Sequence, residues 1–245
     1  MSVSINYTGR FGNNITQYIF SRIFAENNGL QLISEFNHKK GPIEFTTPKP
    51  GKIVKGDLIE ITDHNKNILN KKWDQCNYSI NGYFQKSDFY IERRDQILSF
   101  IKSEKANLNY EDIVMHVRLG DYLFKIHPNW YLDILKSQKF NKLYIVMEER
   151  DEKYLSYFSK YDPICISTNK YDDWNFIKSF DRIICSNSTF SWWASFLSDA
   201  SKIWTFNRWT DTPDLYHLNK IHNGIPVDGP LIKSDISNTI LDLEY

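Results

Sequence analysis

The sequence predicts an α/β protein whose C-terminal half forms a doubly wound parallel sheet. In that half, apolar strand-like runs alternate with helix-like stretches, a rhythm typical of parallel sheets that carry helices on both faces. The predicted strands are residues 113–118, 143–147, 163–167, 182–186 and 202–206. The predicted helices are residues 128–138, 151–160, 172–180 and 189–198, of which two place Pro128 and Asp172 near their starts.

The N-terminal half is less regular but also reads as α/β. Alternation at residues 3–7 predicts a first strand, and apolar residues at helical spacing then predict a helix that stops at Asn28 and Gly29. Residues 53–82 contain short strand-like pieces, and residues 91–105 predict a helix that leads into the second half. We expect two domains, residues 1–110 and 111–245. After residue 207 the chain is polar and contains several prolines, so we expect loops there.

Composition narrows the classes of function. Lysine and arginine together number 30, as do aspartate and glutamate, so the formal charge is zero. This balance argues against broad nucleic-acid binding, which draws most of its affinity from neutralised phosphates. Three cysteines without a Cys-x-x-Cys pair argue against a zinc site and predict buried reduced thiols. Since neither a signal peptide nor an apolar run of about 18 residues stands out, we expect a soluble cytoplasmic protein.

A charged segment follows the first strand of the second half. Residues 112–122 read DIVMHVRLGDY, an alternating apolar strand that runs directly into His116, Arg118, Gly120 and Asp121. In open α/β sheets, ligands bind beyond the carboxyl ends of the strands. The segment therefore predicts a ligand site, and the alternative is a strand that ends in a surface salt bridge.

A second segment places hydroxyl and amide side chains at a strand-to-helix junction. Residues 182–197 read RIICSNSTFSWWASFL, an apolar strand followed by polar residues and a helix-like run. Such side chains cap a helix, and the free N–H groups and dipole of a helix N-terminus attract anions such as phosphate. The alternative is an ordinary cap before a core helix in which Trp192 and Trp193 pack. Capping and phosphate binding are compatible with each other.

These two segments resemble motifs of the α-1,2-fucosyltransferases, a family of GDP-fucose-dependent transferases. The family's H-x-R-R-x-D signature is matched by His116, Arg118 and Asp121. Its late signature, close to S-N-S-T/S-F-S-W-W, is matched at residues 186–193.

Two further segments extend the resemblance over almost the whole chain. A G-x-G-N-x-x-x-Q pattern is partly matched by Gly12, Asn13 and Gln17. Residues 81–90 read NGYFQKSDFY and resemble the family's G-Y-F-Q segment. All four matches occur in the family's order.

The resemblance implies a glycosyltransferase-B-like fold with two Rossmann-like halves, an N-terminal acceptor-side domain and a C-terminal domain that binds the nucleotide sugar. It implies an inverting, metal-independent enzyme that moves L-fucose from GDP-fucose to a galactose-type hydroxyl of a glycan in α-1,2 linkage. The donor is a substrate, and no resident cofactor is expected. The protein would act in the cytoplasm or at the surface of a membrane where the glycan is built. The alternatives are another GDP-sugar donor and an inactive sugar-binding protein.

The expected catalytic residues are Arg118, Asp121 and His116. A guanidinium is always charged and can bond two phosphate oxygens, which suits the negative charge that develops on the leaving diphosphate. Asp121 is expected either to orient Arg118 or to accept the acceptor's proton. His116 is expected to be a hydrogen-bonded supporting residue and not a general base. The expected donor-binding residues are Gly12, Asn13, Arg118, Ser186, Asn187, Ser188, Thr189 and Ser191.

Leu119 stands where the family signature has its second arginine. Adjacent residues on a strand point to opposite faces, so Leu119 is expected to pack away from the site if Arg118 faces the diphosphate. The alternative is that the strand ends at Val117 and a bend lets both positions reach the donor.

Two other positions depart from the family pattern. The N-terminal motif reads TGRFG at residues 8–12, with an extra residue between its glycines. Met147, Glu148 and Glu149 stand where the family has serine and two aspartates. A carboxylate there could accept hydrogen bonds from guanine, but a solvated loop acid is the expected role.

Overall fold

The computed structural model describes residues 2–34, 43–65, 68–70, 72–74, 76–102, 107–120, 124–207, 218–229 and 231–233. These residues form two compact units, one containing the described residues up to 102 and the other those from 107 onwards. The predicted boundary at residues 110 and 111 thus lies inside the second unit, where Asn109 forms a parallel bridge with Phe180. Each unit is built on a parallel sheet, which confirms the predicted α/β class.

The first unit contains a four-stranded sheet and one long helix. Its strands are β1 (Val3–Ile5), β2 (Leu32–Ile33), β3 (Leu58–Ile61) and β4 (Asn77–Ile80). Its α-helices are α1 (Phe11–Asn28) and α2 (Arg94–Ser99), and its single-turn 3₁₀ helices are Ile68–Asn70, Ser87–Phe89 and Ile91–Arg93. The strand order is β2-β1-β4-β3, and the pairs are parallel.

Helix α1 anchors this unit and ends at the predicted residue. Ile15, Ile19 and Ile23 recur at helical spacing and are fully buried. Gly29 follows in the left-handed conformation at φ 65°, where a residue without Cβ caps the helix at least cost.

The second unit contains a six-stranded parallel sheet and a separate antiparallel pair. The sheet strands are β5 (Ile113–Val117), β7 (Leu143–Met147), β8 (Ile164–Ile166), β9 (Arg182–Ile184), β10 (Lys202–Phe206) and β11 (Gly224–Val227). The antiparallel pair is β6 (Phe124–Ile126) with β12 (Leu231–Lys233). The helices are α3 (Pro128–Lys136), α4 (Glu152–Ser156), α5 (Lys170–Lys178) and α6 (Thr189–Phe196), with a 3₁₀ turn at Ser159–Tyr161.

The main sheet has the strand order of the Rossmann fold. Its spatial order is β11-β10-β9-β5-β7-β8, so the six strands counted along the chain lie as 3-2-1-4-5-6. The chain adds β7 and β8 on one side of β5, then returns to add β9, β10 and β11 on the other side. The sheet is therefore doubly wound, as the sequence predicts.

Helices cover both faces of this sheet. On one face, Met115 and Ile145 pack in a buried core with Trp130 of α3 and Leu155 of α4. On the other face, the ring of His116 lies 5.5 Å from that of Phe190 in α6, and Tyr144 of β7 contacts Phe176 of α5. Alternate residues of β5 thus serve opposite layers.

The predicted elements of the second unit are present, with corrected ends. Strands β5, β8 and β9 are shorter than predicted, and the helix over residues 151–160 divides into α4 and the 3₁₀ turn. Helix α5 begins at Lys170 because the side chain of Asn169, not Asp172, caps it. In the first unit, the helix over residues 91–105 is wrong in length, since α2 covers Arg94–Ser99 alone.

The prediction of loops after residue 207 is wrong for β11. This strand contains Pro226, which cannot donate to a ladder. It pairs in parallel with β10 at the edge of the sheet, so the missing N–H costs no hydrogen bond from a second neighbour.

Candidate functional site

The candidate site lies at the carboxyl edge of the main sheet, where β5 and β9 are neighbours. The chain reverses its direction of sheet building between these two strands, and open α/β sheets bind ligands at such a switch point. The charged segment after β5 and the polar segment after β9 therefore leave the sheet side by side. This arrangement brings together predicted residues that are about 70 positions apart in the chain.

His116 forms the link between the two strands. Its side chain is only 6% exposed, and its Nδ1 lies 2.7 Å from the hydroxyl oxygen of Ser186. The hydroxyl of Tyr131 donates to the backbone carbonyl of His116 at 3.2 Å. Burial, with a smaller contribution from the charge of Arg118, lowers the pKa of His116 to about 3. The imidazole is therefore uncharged at neutral pH.

Arg118 forms an ion pair across the edge of the sheet. Because Val117 is in register with Met147, the next residues of the two strands are neighbours. Nη1 of Arg118 donates to Oε2 of Glu148 at 2.5 Å. The side chain of Arg118 is 17% exposed and that of Glu148 is 56% exposed. An ion pair with one well-solvated partner contributes little stability.

Leu119 packs against the core that α3 and α4 cover. Strand β5 does end at Val117, as the alternative interpretation required, yet the leucine side chain still joins the apolar layer. The predicted packing role of Leu119 is confirmed. Gly120 then turns the chain at φ 54°, a left-handed conformation that favours glycine.

Asp121, predicted as a catalytic residue, lies outside the described residues, which stop at Gly120 and resume at Phe124.

Ser188 and Thr189 form the start of α6. Ser188 is the N-cap, and its hydroxyl oxygen accepts from the backbone N–H of Phe190 at 3.3 Å. The first turn of α6 contains no acidic residue. The positive end of the helix dipole is thus not offset from within the helix, which suits an anion at this junction. Ser188 and Thr189 are both half-buried.

Ser186 and Ser191 belong to the interior. Ser186 is 2% exposed and Ser191 is fully buried. Their hydroxyl oxygens lie 3.5 Å apart, and that of Ser191 also lies 3.3 Å from the carbonyl oxygen of Ser188. Their contacts indicate support of His116 and of the first turn of α6 and argue against direct contact with a ligand.

Asn187 joins the junction to β6. Its Nδ2 donates to the carbonyl of Phe124 at 2.6 Å, while its Oδ1 is buried and receives no hydrogen bond from any described residue. The amide therefore holds the strand that follows the Asp121 segment against the end of β9.

Gly12 and Asn13 belong to the first unit and lie in the first turn of α1, directly beyond β1. Gly9 precedes them at φ 76°, and a Cβ there would lie 2.2 Å from Nδ2 of Asn13, so this position requires glycine. Nε2 of Gln85 donates to Oδ1 of Asn13 at 2.8 Å, and the buried Gln17 donates to the carbonyl of Gly82 at 2.9 Å. The two N-terminal family-like segments are thus hydrogen-bonded to each other.

Sequence reasoning missed Asp63, which shapes this loop. Asp63 is 7% exposed and accepts from the backbone N–H groups of Tyr83 at 2.8 Å and Phe84 at 2.6 Å. Phe84 has φ 51°, an uncommon conformation for an aromatic residue. The signal in the sequence for a tightly packed turn here was the glycine at position 82. The structure explains it, because a Cβ at Gly82 would lie 2.5 Å from the Asp63 carboxylate.

Comparisons with protein-family models, curated proteins and solved structures found no match for this chain. Within the described residues, no helix combines the length and apolar character needed to cross a bilayer.

Proposed function

We propose that the protein is an inverting glycosyltransferase that transfers fucose from GDP-fucose to a galactose-type hydroxyl of a glycan. Its two parallel α/β units are compatible with the glycosyltransferase-B architecture that the motif resemblance implies. One observation carries the proposal: the segments that resemble two separate family signatures meet at the switch point of a sheet with Rossmann strand order.

The chemistry of the edge suits a diphosphate leaving group. As the bond between the sugar and GDP breaks, negative charge develops on the β-phosphate, and a preorganised cation stabilises it. In this proposal Arg118 supplies that cation, and the N-terminus of α6 with Ser188 supplies further positive potential. The incoming diphosphate takes the place that the Glu148 carboxylate occupies beside Arg118.

In the first unit, a glycine-containing loop precedes α1. No acidic residue lies in the first turn of α1. Gly12 and Asn13 thus lie at the positive end of the α1 dipole, which favours an anion. In the proposal these residues bind the donor.

A panel of nucleotide sugars tests this proposal. Binding to the folded state raises the melting temperature, so GDP and GDP-fucose should stabilise the protein more than UDP- or CMP-sugars. Stabilisation by another GDP-sugar alone would change the donor, and equal or greater stabilisation by UDP-sugars would contradict the assignment.

Arg118→Ala tests the role of the cation. Loss of a preorganised donor to a developing charge should lower turnover by roughly 10²–10³. Arg150→Ala is the matched control, because Arg150 is an exposed arginine of the same unit that pairs with Glu152. Normal turnover in Arg118→Ala would move the phosphate site elsewhere.

A further inference from the structure

The hydrogen bond between His116 and Ser186 determines what the imidazole can do. Ser186 is 2% exposed and directly follows β9, and His116 is 6% exposed near the end of β5. Their 2.7 Å contact, between Nδ1 and the hydroxyl oxygen, therefore spans the switch point. A neutral imidazole carries one proton, so the direction of this bond decides which ring nitrogen holds it.

The proton of the Ser186 hydroxyl has one good acceptor. Good O–H···O and O–H···N bonds are about 2.5–3.0 Å long. Nδ1 of His116 lies within that range at 2.7 Å, whereas the hydroxyl oxygen of Ser191 is 3.5 Å away. If Nδ1 donated instead, the only acceptor left for the Ser186 proton among the described residues would be the distant hydroxyl oxygen of Ser191. The arrangement with better geometry has Ser186 donating to Nδ1.

The proton of the imidazole then resides on Nε2. No hydrogen bond joins Nε2 to any described residue, although the side chain is more than nine-tenths buried. Nε2 is not one of the buried side-chain atoms that lack a hydrogen-bond partner among the described residues, so it keeps some accessible surface that a ligand can reach. Nε2 is therefore the atom of this ring that has bonding capacity left for a ligand.

We propose that Ser186 holds His116 as the Nε2–H tautomer, so that His116 donates a hydrogen bond to an oxygen of the bound substrate and does not act as a base. This inference rests on the proposed function for the identity of that substrate, a nucleoside diphosphate sugar. Arg118 lies two residues along the chain, so in this scheme the acceptor is a phosphate oxygen beside its guanidinium. Ser186 is a positioning residue in this scheme.

A neutral donor suits this position better than a second cation. It adds a hydrogen bond to an oxygen on which charge develops without a proton transfer step. It also avoids placing two positive charges side by side in a buried site, which the short spacing from Arg118 would otherwise do.

The tautomer can be measured without any activity. ¹⁵N spectra of histidine-labelled protein, with the His116 signal assigned by its loss in His116→Gln, distinguish a protonated nitrogen from an unprotonated one. At neutral pH we expect a protonated Nε2 and an unprotonated Nδ1. Ser186→Ala should remove this preference, and Ser186→Thr, which retains the hydroxyl, should restore it. A protonated Nδ1 in the wild-type protein would overturn the proposal.

Measurement of kcat in the same variants tests the positioning role of Ser186. Ser186→Ala should lower kcat by roughly ten-fold, the equivalent of one lost hydrogen bond, and Ser186→Thr should recover most of it. Ser195→Ala is the control, because Ser195 is a fully buried serine of α6 whose hydroxyl bonds Cys185. Unchanged kcat in Ser186→Ala would overturn the positioning role. If the wild-type protein transfers no sugar from any donor, the proposed function fails, and the spectra still decide the tautomer.

Discussion

Leu119 replaces the second arginine of the family signature and packs against the core. Leu119 is partly buried in the apolar layer formed with α3 and α4, and the charged group of an arginine at this position would have to reach out of that layer. The second arginine of the family signature is thus missing at a position whose side chain packs into the apolar layer. In the proposal, a second arginine at this position is therefore not needed to bind the donor, because position 119 contacts the apolar layer.

Leu119→Arg should destabilise the fold. Placing an unpaired guanidinium against an apolar layer should lower the free energy of unfolding by roughly 2 kcal/mol or more. Leu58→Arg is the control, because Leu58 is 58% exposed and should tolerate the same change. Urea titration of the two variants measures the difference. A stable Leu119→Arg variant with tighter GDP-fucose binding would show that position 119 contacts the donor.

His116 makes stability depend on pH. Its pKa is about 3 in the folded state and near 6.5 in an unfolded chain, so the unfolded state binds the extra proton first as pH falls. Its contribution is fully present above about pH 6.5 and is lost as pH falls toward the folded value, by at most about 1.4 kcal/mol per pH unit. Arg118, Ser186 and Phe190 lie near the ring, and the hydroxyl of Tyr131 bonds the backbone carbonyl of His116.

Urea unfolding of the wild-type protein and His116→Gln from about pH 8 to about pH 4 checks this sign. The stability advantage of the wild-type protein should shrink as pH falls, because carboxylates titrate alike in both proteins and cancel in the difference. The exposed His64 provides the control variant His64→Gln. A constant difference between His116→Gln and the wild-type protein would contradict the buried neutral state.

At the scale of elements, the loop after β4 depends on one carboxylate. Asp63 accepts the two N–H groups that lead into Phe84, and Tyr90 donates its hydroxyl to the Phe84 carbonyl at 2.7 Å. These bonds offset the cost of the left-handed aromatic residue, which is of order 1–3 kcal/mol. The loop then presents Gln85 to Asn13.

Asp63→Ala should therefore lower the free energy of unfolding by roughly 2–4 kcal/mol, since one buried and one partly buried N–H group lose their acceptor. Asp95→Ala, which removes an exposed carboxylate from the first turn of α2, should cost less than about 1 kcal/mol. Denaturant unfolding measures both. Equal effects of the two substitutions would show that the Asp63 bonds do not hold the loop.

At the scale of the whole molecule, the proposed reaction relies on fixed protein charges. Arg118 and the start of α6 meet the diphosphate in this proposal, so transfer should continue without a divalent ion. Transfer measured in excess EDTA, and again after addition of Mg²⁺ or Mn²⁺, checks this. Activity that disappears in EDTA and returns with the metal would contradict it.

Much of the second unit could be predicted from local pattern. Its strands alternate with helices at regular spacing, and buried parallel strands such as β5 and β7 form short apolar runs that periodicity detects. The same reasoning failed at β11, where Gly224 and Pro226 read as a loop although the edge of a sheet tolerates them. It also failed at Asp63, whose partners lie about 20 positions away.

The sequence alone determined the residue types available for the proposed chemistry: a guanidinium after one strand, and hydroxyl and amide groups after another. Local chemistry was enough, because strand ends and helix starts depend on neighbouring residues. Only the tertiary structure decided which of these groups meet. The chain returns from β8 to the far side of β5, so β5 and β9 become neighbours. Ser186 is therefore buried against His116, and α6 begins beside the same edge of the sheet. Non-local strand pairing carries no short-range signal, so the roles of Ser186 and Glu148 required the fold.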